Sequence, residues 1–286
     1  GLCLVGSEMC IRDSLYYDRY GFSSDKNFSK IDVPPLMNSI LSRASVRKFS
    51  KKNIPHELLT LLLTAAQSAP SKSNLQQYSI LVIQNKALKK EISNLIGNTK
   101  WALTAPVFLL FLADIRRNIK ITNHKGYNHK NNNVDTFMNG VIDAALSMQS
   151  MINASESIGL GICPISMIRN IIEEVKNLCK LPKGVFPIAG LAVGWPDEKS
   201  LASLRLPQDV VTHYNIYSEE NLMDKINKYD DRVFEVAPIE ENNQRHVDIY
   251  GVAKKGTWSE NISRQLSVAE RKDFKKWLKN HGFNLE

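Results

Sequence analysis

The chain contains the heptapeptide Arg43-Ala-Ser-Val-Arg-Lys-Phe49 and, further along, the octapeptide Ala69-Pro-Ser-Lys-Ser-Asn-Leu-Gln76. Each stretch places cations or hydroxyl groups at short spacing beside a segment with helical periodicity. Arginines combined with hydroxyl and backbone donors form charge-assisted hydrogen bonds to a phosphate. The two stretches therefore predict a site that holds a phosphorylated, ring-bearing cofactor at both ends. Taken alone, each stretch also fits a basic helix cap or an ordinary polar turn.

The bulk composition is that of a folded globular protein. The 286 residues are 43% hydrophobic and 23% charged, which is enough to bury a substantial core. The formal net charge of +8 would suit a nucleic-acid partner if the cations clustered, but the lysines are spread and mixed with acids, as in Glu173-Glu-Val-Lys176. We therefore expect a solvated basic surface that attracts small anions, and no nucleic-acid partner.

The first 14 residues resemble the translation of an adapter used to build sequencing libraries. We therefore expect residues 1–14 to be an artefactual scar. A signal peptide is the competing interpretation, and it fails because the apolar run is too short and is interrupted by Glu8 and Arg12. Without residues 1–14, Cys163 and Cys179 remain, too few for a disulfide framework, and a reducing compartment is favoured. No apolar run reaches the ~20 residues that span a bilayer. These observations predict a cytoplasmic protein without membrane association.

Three segments predict β-strands. Residues Pro106–Ala113 and Phe186–Gly194 are continuous apolar runs, typical of strands buried on both faces. Ser79–Gln84 is a shorter run of the same kind. With helices before, between and after them, the strands predict an α+β fold in which helices flank a sheet, followed by an extended C-terminal arm.

Helical periodicity and capping residues predict the helices. Thr257 or Ser259 is expected to cap the last one. Two polar segments without periodicity, Arg116–Asn133 and Lys225–Tyr250, are expected to be a surface excursion and part of the arm. The predicted helices are Leu36–Ser42, a helix from Pro55 to Ala69, Leu88–Ile96, Val134–Ile158, Met167–Lys180 and Ser259–His281.

The first heptapeptide resembles part of the flavin-binding signature of the FMN-dependent nitroreductase family. The resemblance implies that Arg43 and Ser45 bind the FMN phosphate. It also implies that Arg47 reaches the ribityl chain and the pyrimidine edge of the flavin.

The octapeptide resembles the second part of that signature. The family pattern Pro-Ser-x-x-Asn-x-Gln is matched at every specified position. The resemblance implies that Ser71, Ser73, Asn74 and Gln76 contact flavin bound mainly by the other subunit, so it implies a homodimer.

Residues 159–170 resemble the family segment whose backbone amides face the flavin N5. The nearest candidates are the N–H groups of Ser166 and Met167, at the start of the next predicted helix, where partial positive charge accumulates. Glycine is common at these two positions in the NADPH-preferring branch, so Ser and Met imply a narrower pocket.

Residues 181–217 resemble the family strand and the following segment that adds phosphate cations. Arg205 matches the family arginine, whereas Ser203 stands where the family has lysine. The resemblance therefore implies a phosphate site that depends on Arg43 and Arg205. No Ser-His-Asp triad and no clustered metal ligands are evident in the sequence, and we expect no metal and no catalytic side chain.

The resembling blocks are similar to the oxygen-insensitive NADPH nitroreductase and NADPH–flavin oxidoreductase branch. They imply a ping-pong enzyme in which NAD(P)H gives hydride to FMN, and nitroaromatics, quinones or flavins then take two electrons. Lys254, Lys255 and Arg271 are the cations expected to meet the NADPH 2′-phosphate. A flavin-consuming or dehalogenating enzyme of the same fold and a basic nucleic-acid-binding protein are the alternatives.

The resemblance also implies a division of the chain. We expect an FMN-binding domain over residues 15–217 and a C-terminal arm and helix over residues 218–286.

Overall fold

The computed structural model describes residues 15–22, 33–97 and 100–286, so the predicted scar at 1–14 lies outside the described residues. The chain divides into two compact units. One, which we call the sheet unit, comprises Ala44–Leu201 and Arg271–Glu286. The other, the helical unit, comprises the described residues of Gly1–Arg43 and of Ala202–Glu270.

The sheet unit is built on one antiparallel sheet. Its strands lie in the order β1-β2-β4-β3, and each neighbouring pair is antiparallel. The two central strands are buried at every residue, as the continuous apolar runs predict. The strands are β1 Tyr78–Ile83, β2 Val107–Asp114, β3 Gly161–Ile165 and β4 Val185–Gly194.

The helices are distributed over both units, and residues 15–20 of the helical unit are also helical. None of the described helices combines the length and the apolar character needed to cross a bilayer. In chain order the α-helices are α1 Pro35–Ser42, α2 His56–Gln67, α3 Lys86–Leu95, α4 Lys100–Thr104, α5 Arg116–His124, α6 Val134–Ser157, α7 Ile172–Leu178, α8 Gln208–Val211, α9 Leu222–Val236, α10 Val247–Tyr250, α11 Trp258–Ser267 and α12 Phe274–Asn280. The 3-10 helices are Lys72–Asn74, Ser166–Ile171 and Glu241–Asn243.

Side chains of β2 alternate between two hydrophobic cores, one on each face of the sheet. Leu109 and Phe111 belong to the core that also contains buried residues of α2 and α6. Phe108 and Leu110 belong to the core that contains buried residues of α3 and α7. Both faces of the strand are therefore covered, which explains why its sequence shows no polar alternation.

Helix α6 is the longest helix of the sheet unit. The side chain of Asn133 caps it by accepting a hydrogen bond from the Thr136 N–H at 3.0 Å. Gly140 and Ala144 lie on its buried face, and a Cβ at Gly140 would meet the Ala113 Cβ at 3.2 Å. Small residues therefore allow α6 to pack closely on β2.

Most predicted elements are confirmed within two residues at each end. The prediction of three strands is wrong, because the structure has a fourth, β3, that was not predicted. Gly161-Ile-Cys-Pro-Ile165 is short and contains glycine and proline, which weaken a strand signal. The helix predicted at Met167–Lys180 is also divided, since its first turn is the 3-10 helix Ser166–Ile171 and only Ile172–Leu178 is α-helical.

Two polar segments contain helices that the sequence did not predict. In the segment Arg116–Asn133, α5 forms but buries no residue, so no apolar stripe marks it. In the segment Lys225–Tyr250, α9 forms and buries Ile226, Tyr229 and Val233. Three apolar positions make too narrow a stripe to stand out in a charged sequence.

The single helix predicted at Ser259–His281 is wrong. Helix α11 ends at Ser267, α12 begins at Phe274, and Arg271 between them has a left-handed backbone with φ of 49°. The predicted cap is confirmed, because Thr257 accepts a hydrogen bond from the Glu260 N–H at the start of α11.

Candidate functional site

The segment that carries Ser45 and Arg47 lies against the outer strand of the sheet. The Val46 N–H donates to the Ile162 carbonyl at 2.9 Å, and Ser45 forms an isolated parallel bridge with Ile162. Val46 is buried, whereas Arg47 is exposed and Ser45 is partly exposed. The sheet edge therefore holds this segment with its hydrophobic side chain inward and the predicted ligand of the flavin, Arg47, at the surface.

The close fit of this segment explains a glycine in β3. A Cβ at Gly161 would lie 2.7 Å from the Val46 Cγ2, a distance that real Cβ atoms do not show. Glycine at this position lets the Ser45 segment approach the strand. The glycine thus helps to place Ser45 and Arg47.

The helical unit brings three arginines together. Arg43 follows α1, and the backbone N–H of Arg205 donates to the carbonyl of Arg19 at 2.8 Å. The guanidinium of Arg19 in turn donates to the Arg43 carbonyl at 3.0 Å. The sequence predicted Arg43 and Arg205 for the phosphate, but Arg19 belongs to no motif and was missed.

The electrostatics of this arginine cluster (Arg19, Arg43 and Arg205) favour an anion. Partial burial lowers the pKa of Arg19, the charges of Arg205 and then Arg43 lower it further, and the smaller influences of Tyr20 and Asp18 raise it. A guanidinium stays protonated in proteins despite such a shift, so the three positive charges persist. A bound phosphate would relieve their mutual repulsion.

Ser203, which stands where the family has a lysine, contributes its backbone to this cluster. Its carbonyl accepts hydrogen bonds from the Arg19 Nη1 at 3.1 Å and from the Arg205 Nη1 at 3.4 Å. The chain thus lacks the family lysine at position 203, but Arg19 provides a third positive charge in the same unit.

The loop from Ser71 to Gln77 is held by a buried carboxylate. Asp143 of α6 is only 1% exposed and accepts from the Ser71 Oγ at 2.7 Å and from the Gln77 N–H at 2.9 Å. The Lys72 N–H donates to the other carboxylate oxygen at 3.2 Å. The sequence indicated Asp143 only as a break in the apolar pattern of α6, so its role as the anchor was missed.

The same loop contains an unusual run of left-handed backbone. Ser73, Asn74 and Gln76 have φ of 49°, 56° and 51°. All three are exposed, and the Gln76 Nε2 donates to the Asn74 Oδ1 at 3.1 Å. Non-glycine residues rarely adopt this conformation, and such strain clusters at ligand sites. Ser71, in contrast, is partly buried and turned toward Asp143.

Ser166 and Met167 open the 3-10 helix that follows β3, and both are exposed. Three residues after Met167, the Asn170 Oδ1 accepts from the Arg271 Nε at 2.8 Å. The predicted amide donors and one predicted NADPH cation therefore belong to neighbouring parts of the sheet unit.

The other two predicted NADPH cations lie in the helical unit. Lys254 and Lys255 are exposed, and the Lys255 Nζ is 2.5 Å from the Asp231 Oδ1. Lys255 thus has a carboxylate partner already. An ion pair this exposed contributes about 0.2–1 kcal/mol, so a ligand phosphate can compete with it.

Two family models match the chain with little interruption. The model described as the nitroreductase family matches residues 40–195, and the model of that family's C-terminal domain matches residues 203–286. The chain belongs to the nitroreductase family. Its α+β fold, with helices on both faces of the sheet, agrees with the fold predicted from the sequence.

Named relatives align with most of the chain. The NAD(P)H FMN reductase of Bacillus subtilis is 32% identical over 88% of this chain and 98% of that protein. The oxygen-insensitive NADPH nitroreductase of Salmonella typhimurium is 32% identical over 88% of this chain and 99% of that protein. The solved structure of the NfrA1 nitroreductase from B. subtilis is 32% identical, with a TM-score of 0.79, and covers 87% of this chain and 99% of that one. The family resemblance expected from the sequence is thus confirmed.

Proposed function

We propose that this nitroreductase-family protein is an FMN-dependent oxidoreductase that takes hydride from NADPH or NADH and passes two electrons to a nitroaromatic, a quinone or a flavin. The observation that carries the proposal is the cluster of Arg19, Arg43 and Arg205, whose mutual repulsion an anion among them would relieve. The names of the relatives, an FMN reductase and an NADPH nitroreductase, support both the cofactor and the hydride donor.

The donor set fits FMN in its chemistry. A phosphate needs cations and hydroxyl donors, which Arg43, Arg205 and Ser45 supply. Arg47 adds an exposed cation on the sheet edge, suited to the pyrimidine side of a flavin. The left-handed loop at Ser73 and Asn74 exposes polar side chains that can bind ring heteroatoms.

When bound, FMN supplies the hydride chemistry that the protein side chains lack. The chain would bind and orient the cofactor: Arg43 and Arg205 would hold its phosphate, and, as the family resemblance implies, the Ser166 and Met167 amides would meet its ring. No side-chain nucleophile or general base is needed. NADPH and the electron acceptor would then bind in turn at one site, which gives a ping-pong scheme.

Initial-velocity kinetics test this function. The FMN-loaded protein should oxidise NADPH with a nitroaromatic, a quinone or free FMN as acceptor, and double-reciprocal plots at several acceptor concentrations should be parallel. Intersecting lines would reject the alternating scheme, and no NADPH oxidation with any acceptor would reject the function. Destruction of the flavin in place of turnover would favour a flavin-consuming enzyme of the same fold.

We also propose that the protein works as a homodimer. Four apolar residues at successive i, i+4 positions of α6 form an exposed stripe, and exposed apolar patches of this kind mark protein interfaces. They are Val134 at 46%, Met138 at 53%, Ile142 at 48% and Leu146 at 39% exposure.

The stripe lies on the helix whose Asp143 anchors the Ser71–Gln77 loop. A second copy seated on the stripe would pack on the helix that anchors that loop, which suits a loop that completes the flavin site of its partner. Sedimentation of Ile142→Glu should show a monomer with weakened FMN binding. Leu266→Glu, at a residue 80% exposed in the helical unit, should stay dimeric and bind FMN normally. An Ile142→Glu variant that remains dimeric, or a monomer that is fully active, would contradict the proposal.

The cytoplasm is the compartment that we propose. Cys163 and Cys179, the cysteines in the part of the chain that the structure describes, are both thiols. Burial raises the pKa of Cys179 to about 11, which keeps this sulfur protonated and poorly reactive. Thiols of this kind suit a reducing environment.

A further inference from the structure

We propose that Arg19 is a positioning residue for the cofactor phosphate: it fastens together the two segments that carry Arg43 and Arg205. This inference rests on the proposed function. Arg19 lies outside both ranges that the family models match, 40–195 and 203–286, so family membership assigns it no role.

The hydrogen bonds of Arg19 reach both segments. Its Nη2 donates to the Leu41 carbonyl at 2.8 Å and to the Arg43 carbonyl at 3.0 Å, at the end of α1. Its Nη1 donates to the Ser203 carbonyl at 3.1 Å. Its own carbonyl accepts from the Arg205 N–H at 2.8 Å. One residue is thus bonded to the backbone at or next to both predicted phosphate ligands.

The geometry requires arginine. The two Nη atoms of a guanidinium form a rigid planar fork, so they can serve carbonyls of two different segments at once. The Leu41 carbonyl belongs to the last turn of α1, where carbonyls have no partner within the helix. A lysine has one nitrogen and cannot span both segments in this way. The substitution Arg19→Lys would therefore keep the charge but lose the connection.

The charge of Arg19 also favours binding of the cofactor phosphate. With Arg43 and Arg205 beside it, Arg19 raises the positive potential at the place where the phosphate is expected. Partial burial weakens solvent screening of that charge. Arg19 therefore contributes twice, through the backbone positions that it fixes and through the field that it adds.

The test compares two ligands that differ only in the phosphate. The dissociation constants of FMN and riboflavin are measured by flavin fluorescence for the wild-type full chain, Arg19→Gln, Arg19→Lys and the control Arg245→Gln. Arg245 is an exposed arginine of the same unit, so its substitution removes the same charge elsewhere.

We expect Arg19→Gln to weaken FMN binding by about tenfold or more, as expected for loss of a charge-assisted network, and riboflavin binding by less than about twofold. Arg19→Lys should fall between Arg19→Gln and wild type, and Arg245→Gln should match wild type. A purely structural role would weaken both ligands equally, and this result would overturn the proposal. Unchanged FMN binding in Arg19→Gln would also overturn it.

The two proposals fail differently. If the wild-type chain binds no FMN, the proposed function is contradicted. If the wild-type chain binds FMN no more tightly than Arg19→Gln, only the role of Arg19 is contradicted. If Arg19→Gln does not fold, Arg19→Lys decides: a selective loss of FMN affinity supports the role, and wild-type affinity for both ligands rejects it.

Discussion

Arg19, Arg43 and Arg205 lie beside one another in the helical unit, whereas Lys255 of the same unit is paired with Asp231. After burial, the strongest electrostatic influences on Arg19 are the two other arginines. Lys255, in contrast, has a carboxylate oxygen 2.5 Å from its Nζ. In the sequence the three arginines and Lys255 look alike, since all are basic residues in a chain of net charge +8.

The difference lies in the charges that act on each cation: Arg205 and Arg43 repel Arg19, whereas the Asp231 carboxylate attracts Lys255. Cations that face other cations gain the most when an anion arrives, because their repulsion is relieved. A cation that already has a carboxylate must exchange one partner for another and gains little. We therefore expect the arginine cluster to determine cofactor affinity and the arm lysines to modulate only the choice between NADPH and NADH.

The largest effect is expected at the arginine cluster. Arg43→Ala should weaken FMN binding by about tenfold to a hundredfold, because a charge-assisted phosphate bond contributes ~1.5–3 kcal/mol. Flavin fluorescence measures the dissociation constant, and Lys255→Ala serves as the control, with a change of less than about twofold. Equal losses in the two variants would remove the distinction between the two groups of cations.

A smaller effect is expected for the hydride donor. NADPH should be preferred over NADH by about tenfold in kcat/KM, equivalent to ~1.4 kcal/mol, if a basic residue meets the 2′-phosphate. Arg271→Ala should reduce that preference, since Arg271 is hydrogen-bonded to Asn170 in the element that begins with Ser166 and Met167. Equal specificity constants for both donors, unchanged in the variant, would leave Arg271 with a structural role only.

Removing the carboxylate partner of Lys255 tests the difference between Lys255 and the arginine cluster. Asp231→Asn removes its carboxylate partner, and kcat/KM for NADPH should rise by about two- to fivefold, within the ~0.2–1 kcal/mol of an exposed ion pair. NADH kinetics should not change. The double variant Asp231→Asn, Lys255→Ala should lose the gain. A gain that persists in the double variant would show that Lys255 is not its source.

The smallest effect concerns Glu173, which connects α7 to α12 through Trp277. Glu173 accepts from Lys176 at 2.9 Å and from the Trp277 indole at 2.7 Å, and its Oε2 lies 3.3 Å from the His281 Nε2. The hydrogen bond from Lys176 and then that from Trp277 lower the pKa of Glu173 below its ordinary 4.5. This stabilisation is therefore present above pH 4.5 and is lost as pH falls through the lowered value.

Thermal unfolding between neutral and acidic pH measures this contribution. Glu173→Gln should be slightly less stable than wild type at neutral pH, by less than about 1 kcal/mol because the Glu173 side chain is 48% exposed, and the difference should vanish in acid. A difference that is the same at every pH would show that the carboxylate charge is not what holds α12 in place.

The sequence predicted the elements whose burial leaves a regular trace. β2 and β4 are covered on both faces, so their sequences are continuous apolar runs. The division between α11 and α12 left no such trace, because residues 268–273 contain neither glycine nor proline. Arg271 adopts a left-handed backbone there without any residue that predicts it.

Residues of the candidate site could be proposed from the sequence where they stand in a motif. Residues that act only through long-range contacts could not. Arg43 and Arg205 stand in patterns that resemble a known signature. Arg19 acts on carbonyls up to 184 residues away, and Asp143 holds Ser71 from 72 residues away. Such long-range hydrogen bonds have no local sequence signal, so only the folded chain assigns these two residues a role.

The most direct test of the account is retention of flavin by the purified protein. The chain is mixed with FMN or with riboflavin, desalted, and its visible absorbance recorded. If the arginine cluster binds the cofactor phosphate, FMN should remain bound in stoichiometric amount and riboflavin should be lost. A colourless protein after both incubations, or equal retention of the two flavins, would contradict the account.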